Sequence, residues 1–516
     1  MRFTRSAGTL VHPTSLATKY GIGDLGSSAR TFIDFLVNSK QAIWQVLPLG
    51  PTGFGNSPYA SYSAFAGNSY LISPEVLLDK GLITSSKAQK AEMPVTTNVN
   101  YPEVFKRKRT LLEQASKTFY SSKSHTQEQS FEDFKKQNEY WLDDFVLFMT
   151  ALELNEGTPW NKWDSELSQR TPQGIKKLKN NHAERIAFHY WTQFEFFNQW
   201  HAIKKYASDN KIRIIGDIPI FVDHNSADVW SHPQYFAVDE HGDRQLVAGV
   251  PPDYFSETGQ LWGNPQYKWK TLEKDNYRWW IERFRQMFSM YHAIRVDHFR
   301  GFDAYWEVKA EEKTAINGRW VNGPGSKLFD TIKNELGELP IIAEDLGVIT
   351  PEVVELRERY NFPGMKILQF AFSGSYANSF LPHNYHPNCV TYTGTHDNDT
   401  TLGWFKQAPE EEKHKAREYA KSDDDEINWE LIRLALLSVA DQAVIPLQDF
   451  MNLDSTHRMN LPGTATGNWD WRFTPDMLEN VDSNRIKHLI TMANRDVRSD
   501  NKDANLTSIE TEEAGY

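Results

Sequence analysis

The sequence predicts an α/β protein in which residues 1–516 form a single (β/α)8 TIM barrel, with inserted, mainly helical subdomains and long loops on the catalytic face. Two observations favour this class. Short apolar strands alternate along the chain with amphipathic helices, which is the pattern of a parallel sheet. Several of these strands end in a carboxylate, and in a barrel such ends meet on the face that carries active sites. A chain of 516 residues is long for one domain, but a barrel with insertions accommodates it.

The first elements follow from hydrophobic spacing. Residues 29–39 have their apolar side chains at helical spacing, and the apolar run 42–47 is a strand. Before them, Gly21-Ile-Gly-Asp-Leu-Gly26 matches the fingerprint of dinucleotide-binding sites. That fingerprint needs a preceding strand, whereas polar residues precede it here. The sequence therefore argues against a dinucleotide, and we predict no cofactor.

A loop rich in glycine, proline and serine follows this strand over residues 48–68. Loops that follow barrel strands lie on the catalytic side, and Tyr59 is the residue of this loop that we expect in the site. From about residue 74 to 210 the chain is mostly helical with polar faces, and we predict an inserted helical subdomain there. Its apolar stripe comprises Phe131, Phe134, Trp141 and Phe145.

Four apolar strands each end in a carboxylate, namely Asp217, Asp297, Glu344 and Asp397. Around Asp297, strand periodicity puts Arg295 and Asp297 on one face and two apolar residues on the other. The apolar pair then faces the surrounding helices, and the ion pair points into the barrel mouth. Taken singly, each carboxylate is read equally well as a helix cap or a surface ion pair. Their repetition at strand ends favours one shared site.

The rest of the chain continues the alternation, with a helix at 325–336, a strand at 339–343, a helix at 351–360 and a strand at 366–370. The segment 249–267 is rich in aromatic residues and glycine, and we predict an active-site lid loop that excludes water. Its candidate site residues are Asp253, Tyr254, Phe255, Gln260 and Trp262. The acidic, polar tail at 507–516 is predicted to be disordered.

Composition excludes several classes of function. The net charge of -12 argues against a nucleic-acid partner, because phosphate binding needs a basic surface. The single cysteine, Cys389, allows no internal disulfide, and its place at the head of an apolar strand predicts burial. The chain has no apolar signal core and no run long enough to cross a bilayer, so we expect a cytoplasmic protein without membrane contact. No HExxH or Cys/His set is present, and we expect no catalytic metal.

Short motifs in a fixed order carry a resemblance to a known family. DIPIFV, IRVDHFRGF, IIAEDLG and YTGTHDND, in this order, resemble the motifs shared by the α-amylase clan. The variant here is similar to the 4-α-glucanotransferases, the amylomaltase or disproportionating-enzyme family. The resemblance runs nearly end to end, since it includes HPTSL at 12–16, the glycine-rich run at 50–68, the segment 249–267 and LPGTATGNWDWR at 461–472.

The resemblance and the chemistry assign the same roles to three carboxylates. Cleavage of an acetal with retention needs a nucleophilic carboxylate and a carboxylic acid about 5 to 5.5 Å apart. Asp297 is the predicted nucleophile, with Arg295 favouring its ionised form, and Glu344 is the predicted acid, which needs a raised pKa. Asp397 is expected to bind sugar hydroxyls and to stabilise the transition state.

The resemblance also implies the substrate and its contacts. It places His298 and His396 beside the sugar, Tyr59 against the sugar at the cleavage point, and Asp217 with Arg295 in support of the nucleophile. Asn468 is a further candidate contact, and a second glucan site is expected near Phe54 and Tyr101. The implied partners are α-1,4-glucans and maltooligosaccharides, with glucose as an acceptor. Neither the residues nor the resemblance predicts an oligomeric state.

Alternative functions remain at this stage. The first alternative is an α-glucan hydrolase or debranching enzyme of the same clan. The second is a non-catalytic glucan-binding protein, which the presence of all three carboxylates disfavours. A dinucleotide oxidoreductase is a distant further alternative. The leading prediction is a retaining 4-α-glucanotransferase that moves α-1,4-glucan segments from a donor to the 4-hydroxyl of an acceptor.

Overall fold

A computed structural model of the chain describes residues 3–252, 256–422 and 426–498. Within these ranges the strands are β1 (Ser6–Leu10), β2 (Ile43–Gln45), β3 (Arg213–Pro219), β4 (Leu246–Val250), β5 (Gln260–Pro265), β6 (Ala293–Asp297), β7 (Ala304–Lys309), β8 (Arg319–Asn322), β9 (Ile341–Ala343), β10 (Gly364–Ile367), β11 (Cys389–Tyr392) and β12 (Gln442–Pro446).

The α-helices of the same ranges are α1 (Ser27–Asn38), α2 (Pro74–Asp79), α3 (Ser85–Ala91), α4 (Tyr101–Ser122), α5 (His125–Gln137), α6 (Leu142–Leu154), α7 (Ser165–Ser168), α8 (Pro172–Asn181), α9 (Ala183–Asp209), α10 (Ala227–Ser231), α11 (Trp269–Lys274), α12 (Arg278–Met290), α13 (Ser326–Leu336), α14 (Pro351–Arg359), α15 (Thr401–Gln407), α16 (Glu410–Ala420), α17 (Ile427–Leu437), α18 (Leu447–Phe450), α19 (Pro475–Glu479) and α20 (Ser483–Met492).

Eight parallel strands form the barrel, in the order β10-β11-β12-β1-β2-β3-β6-β9. The two ends of this order meet, because the Ala343 backbone N–H at the end of β9 donates to the carbonyl of Pro363, just before β10, at 2.9 Å. The sheet is therefore a nearly closed barrel. The predicted fold class is confirmed.

The strand that carries the arginine and the carboxylate shows how the sequence builds this barrel. On β6, Ile294 and Val296 are fully buried, and Arg295 lies between them on the opposite face. Before it on β3, Gly216 has no side chain because a Cβ there would lie 2.3 Å from the Tyr291 ring. The alternation of apolar and charged residues thus directs the charged groups into the barrel, as the spacing predicts.

A second, antiparallel sheet stands on the barrel, with strand order β5-β4-β7-β8. It corrects the prediction that 249–267 is a loop, since residues 246–250 and 260–265 pair as antiparallel strands. Gly249 pairs with Leu261, and Val250 pairs with Gln260. Of the glycines that suggested a loop, Gly249 lies on β4 and Gly263 on β5, and Gly259 directly precedes β5 with a φ of +67°.

The chain between β2 and β3 contains helices α2 to α9. Of the predicted apolar stripe, Phe131, Trp141 and Phe145 are buried and Phe134 is half-buried. These side chains join the same continuous hydrophobic core as the barrel strands. That the helices form an inserted subdomain stays a prediction.

Two further sequence expectations have an outcome in the fold. The predicted strand 366–370 ends at Ile367, where its pairing with β11 ends opposite Tyr392, and residues 368–370 form a turn of 3₁₀-helix instead. Cys389 begins β11 and is buried, as predicted. Among the described helices, none has the length and apolar character needed to cross a membrane. The tail at 507–516 lies outside the described residues.

Candidate active site

The carboxylates predicted from the strand ends gather at one end of the barrel. Asp217 and Asp297 lie on the neighbouring strands β3 and β6, where Pro219 pairs with Asp297. Glu344 follows β9, and its backbone N–H donates to the Val296 carbonyl of β6 at 3.0 Å. Adjacent strands lie about 4.8 Å apart, so this register brings the backbones of Asp297 and Glu344 side by side.

Arg295 joins two of the carboxylates. Its Nη1 donates to Oδ2 of Asp217 and its Nη2 to Oδ1 of Asp297, both at 2.7 Å. The Arg295 side chain is 4% exposed and that of Asp217 is not exposed, whereas the Asp297 side chain is 30% exposed. The arginine therefore fixes both carboxylates, and of the two only Asp297 is open to the barrel mouth.

Tyr59 lies on the other side of Asp217. Its hydroxyl donates to Oδ2 of Asp217 at 2.8 Å. Its ring stacks on His396, with centroids 5.1 Å apart, and packs against Trp469 at 5.8 Å. The structure thus brings the predicted Tyr59, His396 and Asp217 together.

Glu344 is held by two backbone donors. Its Oε2 accepts from the His298 N–H at 2.7 Å, and its Oε1 accepts from the Leu346 N–H at 2.8 Å. His298 reaches this position in the left-handed region, with a φ of +52°. Burial, followed by the nearby charge of Asp297, raises the pKa of Glu344 to about 7, although Arg295 and the two N–H donors oppose the rise. Glu344 is therefore suited to hold a proton near neutral pH.

His298 and Trp262 lie on the same side of the site. The Trp262 ring meets the His298 ring edge-on, with centroids 4.8 Å apart, and its Nε1 donates to Oε1 of Gln260 at 3.1 Å. Burial lowers the pKa of His298 to about 4, so its imidazole is neutral at neutral pH. Its Nε2 is buried without a hydrogen-bond partner among the described residues.

Asp397 lies in the loop that follows β11, and a distant segment holds it. The Asn460 amide donates to its Oδ1 at 2.6 Å, and Nη2 of Arg458 donates to its carbonyl at 2.8 Å. Nε2 of His396 lies 3.2 Å from its Oδ2. Burial alone would raise the pKa of Asp397, but His396 and Asn460 outweigh burial and hold this pKa well below its usual range.

Asn460 and Arg458 are site residues that the sequence did not single out. The only signal is that Asn460 directly precedes the LPGTATGNWDWR stretch. The predicted Asn468 lies within that stretch, and its side chain closes its own loop. It accepts from the Leu461 N–H at 2.8 Å and donates to the Thr464 carbonyl at 3.0 Å.

The second predicted glucan site receives no support from Tyr101. The residue is 8% exposed, and its hydroxyl donates to the Trp469 carbonyl at 2.6 Å. A ring buried in this way offers little open surface to a sugar, and the second glucan site stays a prediction. The side chain of Phe54 and the predicted Asp253, Tyr254 and Phe255 lie outside what the structure describes.

The arrangement is suited to acetal chemistry. An open carboxylate, Asp297, stands beside a carboxyl group, Glu344, whose pKa is near 7, and a third carboxylate, Asp397, is held ionised nearby. A nucleophile and a proton donor on adjacent strands are the parts that retaining cleavage requires. In the described ranges, no three His, Cys, Asp or Glu side chains are grouped so as to hold a metal ion.

Comparison with known proteins agrees with this geometry. The sequence profile described as 4-alpha-glucanotransferase matches residues 11–478. The chain is 47% identical over 495 residues to a 4-alpha-glucanotransferase of Synechocystis sp., covering 95% of this chain and 98% of that one. It is also 47% identical over 503 residues to a 4-alpha-glucanotransferase of Thermus thermophilus, covering 96% and 100%.

Solved structures give the same result. The chain is similar to an amylomaltase from Streptococcus agalactiae in complex with acarbose, with a TM-score of 0.92 and 38% identity, covering 95% of this chain and 99% of that one. An amylomaltase from Corynebacterium glutamicum matches with a TM-score of 0.75 and 18% identity, covering 95% and 75%, which supports the fold alone.

Proposed function

The chain belongs to the 4-alpha-glucanotransferase family, and from this premise we propose that it moves α-1,4-glucan segments between maltooligosaccharides by way of Asp297 and Glu344. The acceptor is the 4-hydroxyl of another glucan or of glucose. One observation carries the assignment of residues. Glu344, with a pKa near 7, follows the strand next to that of Asp297 and accepts from the N–H of His298, while Arg295 holds Asp297.

The reaction proceeds in two displacements. Asp297 attacks the anomeric carbon of the donor while Glu344 gives its proton to the departing oxygen, and a covalent glycosyl-enzyme forms. Glu344, now ionised, then takes the proton of the acceptor hydroxyl as that oxygen attacks the same carbon. Two inversions give net retention. The raised pKa of Glu344 supports its change from acid to base between the steps.

Exposure supports Asp297 over Asp217 as the nucleophile. Both carboxylates bind Arg295, but the Asp217 side chain is fully covered and also accepts from Tyr59. The Asp297 side chain is 30% exposed at the mouth. Asp217 then acts through Arg295, by holding the guanidinium that fixes Asp297.

Asp397 and the two histidines bind the sugar that reacts. Asp397 is an ionised acceptor with a 44% exposed side chain, which suits it to sugar hydroxyls and to the positive charge that develops in the transition state. The neutral His298 ring offers its nitrogens as hydrogen-bond partners without adding charge beside that centre. Tyr59 supplies an aromatic wall, held by Asp217 and His396.

Transfer rather than hydrolysis requires that an acceptor outcompete water. Water at about 55 M competes with an acceptor at about a millimolar, so the acceptor must be favoured by roughly 10⁵, or about 7 kcal/mol. Well-oriented bound groups supply that much. The sheet that carries Trp262 and the segment from Asn460 to Trp471 flank the site, and they are the parts that we assign to acceptor binding and water exclusion.

The experiment is an incubation of the protein with maltotriose alone. We expect glucose together with a ladder of longer α-1,4-glucans, and little net gain in reducing ends. The matched control is Asp297→Asn, which should bind maltotriose and give no ladder. Products limited to maltose and glucose, with reducing ends rising in step, would show that water is the acceptor and would refute the transferase.

A further inference from the structure

Two of the seventeen tryptophans, Trp262 and Trp320, are exposed by more than a third of their surface. Trp262 contacts His298 and belongs to the site already described. Trp320 is 42% exposed and lies on β8, one of the two edge strands of the antiparallel sheet. The two displacements described above give it no role.

The Trp320 ring is held in a defined orientation. The guanidinium carbon of Arg300 lies 3.9 Å from the ring centre, over one face. The Trp306 ring approaches edge-on, with centroids 5.3 Å apart and an interplanar angle of 69°. Arg300 itself is buried, and its Nε has no hydrogen-bond partner among the described residues. One face of the indole is therefore covered by a cation, while much of the ring stays open to solvent.

Arg300 ties this ring to the catalytic acid. It lies in the 3₁₀-helix Phe299–Phe302, directly after His298, whose N–H binds Glu344. Its Nη1 donates to the carbonyl of Val348, in the loop that follows Glu344. Val348 is 65% exposed. Arg300 thus contacts both Trp320 and Val348 on the Glu344 side of the site. We call this surface, an exposed indole and an exposed valine joined by a buried guanidinium, the Trp320 patch.

The direction of the reaction decides which part of the substrate passes this patch. Glu344 protonates the oxygen that leaves with the reducing-side segment of the donor, and later deprotonates the acceptor hydroxyl that takes its place. The leaving segment and the acceptor therefore occupy the Glu344 side. A glucose ring has an apolar face of C–H groups, and an open aromatic ring is a suitable platform for that face.

We propose that Trp320 is a stacking platform for a glucose residue of the acceptor, beyond the one that reacts. The inference rests on the proposed function, because the roles of Asp297 and Glu344 define the acceptor side. It predicts a preference for acceptors long enough to reach the Trp320 patch. Glucose alone does not reach the ring and gains nothing from it.

The test compares two acceptors with one fixed donor. For Trp320→Ala, we expect kcat/KM for maltopentaose as acceptor to fall about threefold to tenfold, in line with the contribution of an aromatic contact, while the value for glucose stays within about twofold. Trp320→Tyr keeps a ring and should recover most of the loss. The control is Val439→Ala, an exposed apolar residue that precedes β12 at the opposite end of the barrel, and it should change neither value.

A second measurement separates this proposal from the proposed function. In a Glu344→Gln background, in which cleavage is strongly slowed, Trp320→Ala should weaken the calorimetric affinity for maltoheptaose by a similar factor, whether or not the parent protein transfers glucan. An unaltered affinity overturns the platform. Equal losses for glucose and maltopentaose also overturn it, because they would mean that the ring only supports Arg300 and the Glu344 loop.

Discussion

The active site has two halves that are built differently. Asp217, Asp297 and Glu344, which we call the strand half, lie on or directly after adjacent barrel strands, and backbone register sets their spacing. Asp397 and His396, which we call the loop half, follow β11 by several residues, and Asn460 holds Asp397. In the strand half, mispositioning one carboxylate requires shifting a strand. In the loop half, side-chain contacts from Asn460, Arg458 and His396 hold Asp397.

The two halves also differ in electrostatics. Glu344 accepts two backbone N–H groups, yet burial and the charge of Asp297 raise its pKa to about 7. Asp397 is held ionised by His396 and Asn460, which outweigh burial. One half thus keeps a proton ready near neutral pH, and the other keeps a negative charge. The pair teaches that similar carboxylates take opposite roles when burial and a neighbouring carboxylate outweigh the donors at one, and the donors outweigh burial at the other.

The largest expected effect tests the strand half, through Glu344→Gln. Loss of the acid should reduce transfer from ordinary glucan donors by about 10² to 10⁴ at neutral pH. A donor with an activated leaving group, such as a glycosyl fluoride, needs no proton and should keep its first step. Rates of glycosyl-enzyme formation for the two donor types, measured in single turnovers, provide the comparison.

The pKa of Glu344 also predicts how activity changes with pH. Because the pKa of Glu344 is raised to about 7, the protonated acid is present below that value and is lost as pH rises through it. Activity on ordinary donors should therefore fall by about tenfold per pH unit above pH 7. This basic limb of the pH profile reports the titration of Glu344 and Asp297 as a coupled pair. Glu344→Gln should abolish this limb. Equal loss of the first step for both donor types would refute the assignment of the acid.

The strand half was predictable because its rules are local. A strand alternates its faces every residue, so the spacing of Arg295 and Asp297 alone places both inside the barrel. Parallel strands in a barrel bring their ends together, which gathers Asp217 and Glu344 without any knowledge of contacts. The upward shift of the Glu344 pKa also follows from burial beside a second carboxylate.

The loop half was not predictable from the same reasoning. Asn460 reaches Asp397 from a segment that no periodicity connects to β11. The family resemblance implies a glucan contact at Tyr101, and no sequence pattern indicates that its hydroxyl donates to the Trp469 carbonyl. The hairpin of β4 and β5 was missed for a related reason, since its strands pair through a bulge between Val247 and Gly249 that conceals their alternation.

A smaller effect is expected from Asn460→Ala, which loosens the loop half. The variant removes the 2.6 Å contact with Asp397 and should raise the pKa of that carboxyl. Hydrogen bonds to charged groups contribute about 1.5 to 3 kcal/mol, but the 44% exposed side chain of Asp397 can bind water instead. We expect kcat/KM for maltotriose to fall by about tenfold.

Asn468→Ala is the matched control for this prediction. Its amide engages only its own loop, so its loss should cost less activity than the loss of Asn460. A larger cost from Asn468→Ala would show that this amide contacts the sugar, as the family resemblance implies. The clamp on Asp397 would then be of secondary importance.

The smallest expected effect concerns Tyr101, the first residue of α4, which supports the loop half through Trp469. Trp469 packs against Tyr59 and His396 with a φ of +66°, a left-handed conformation that a tryptophan rarely adopts. Tyr101 binds its carbonyl at 2.6 Å, so Tyr101→Phe leaves that buried acceptor without this donor. We expect a loss of about 1 kcal/mol in stability, seen as a lower thermal midpoint, with unchanged affinity for long maltodextrins. If Tyr101 were also a sugar platform, the phenylalanine ring would keep the stacking, whereas Tyr101→Ala would weaken maltodextrin binding. Measuring both variants by both methods decides between a residue that supports Trp469 and a residue that binds glucan.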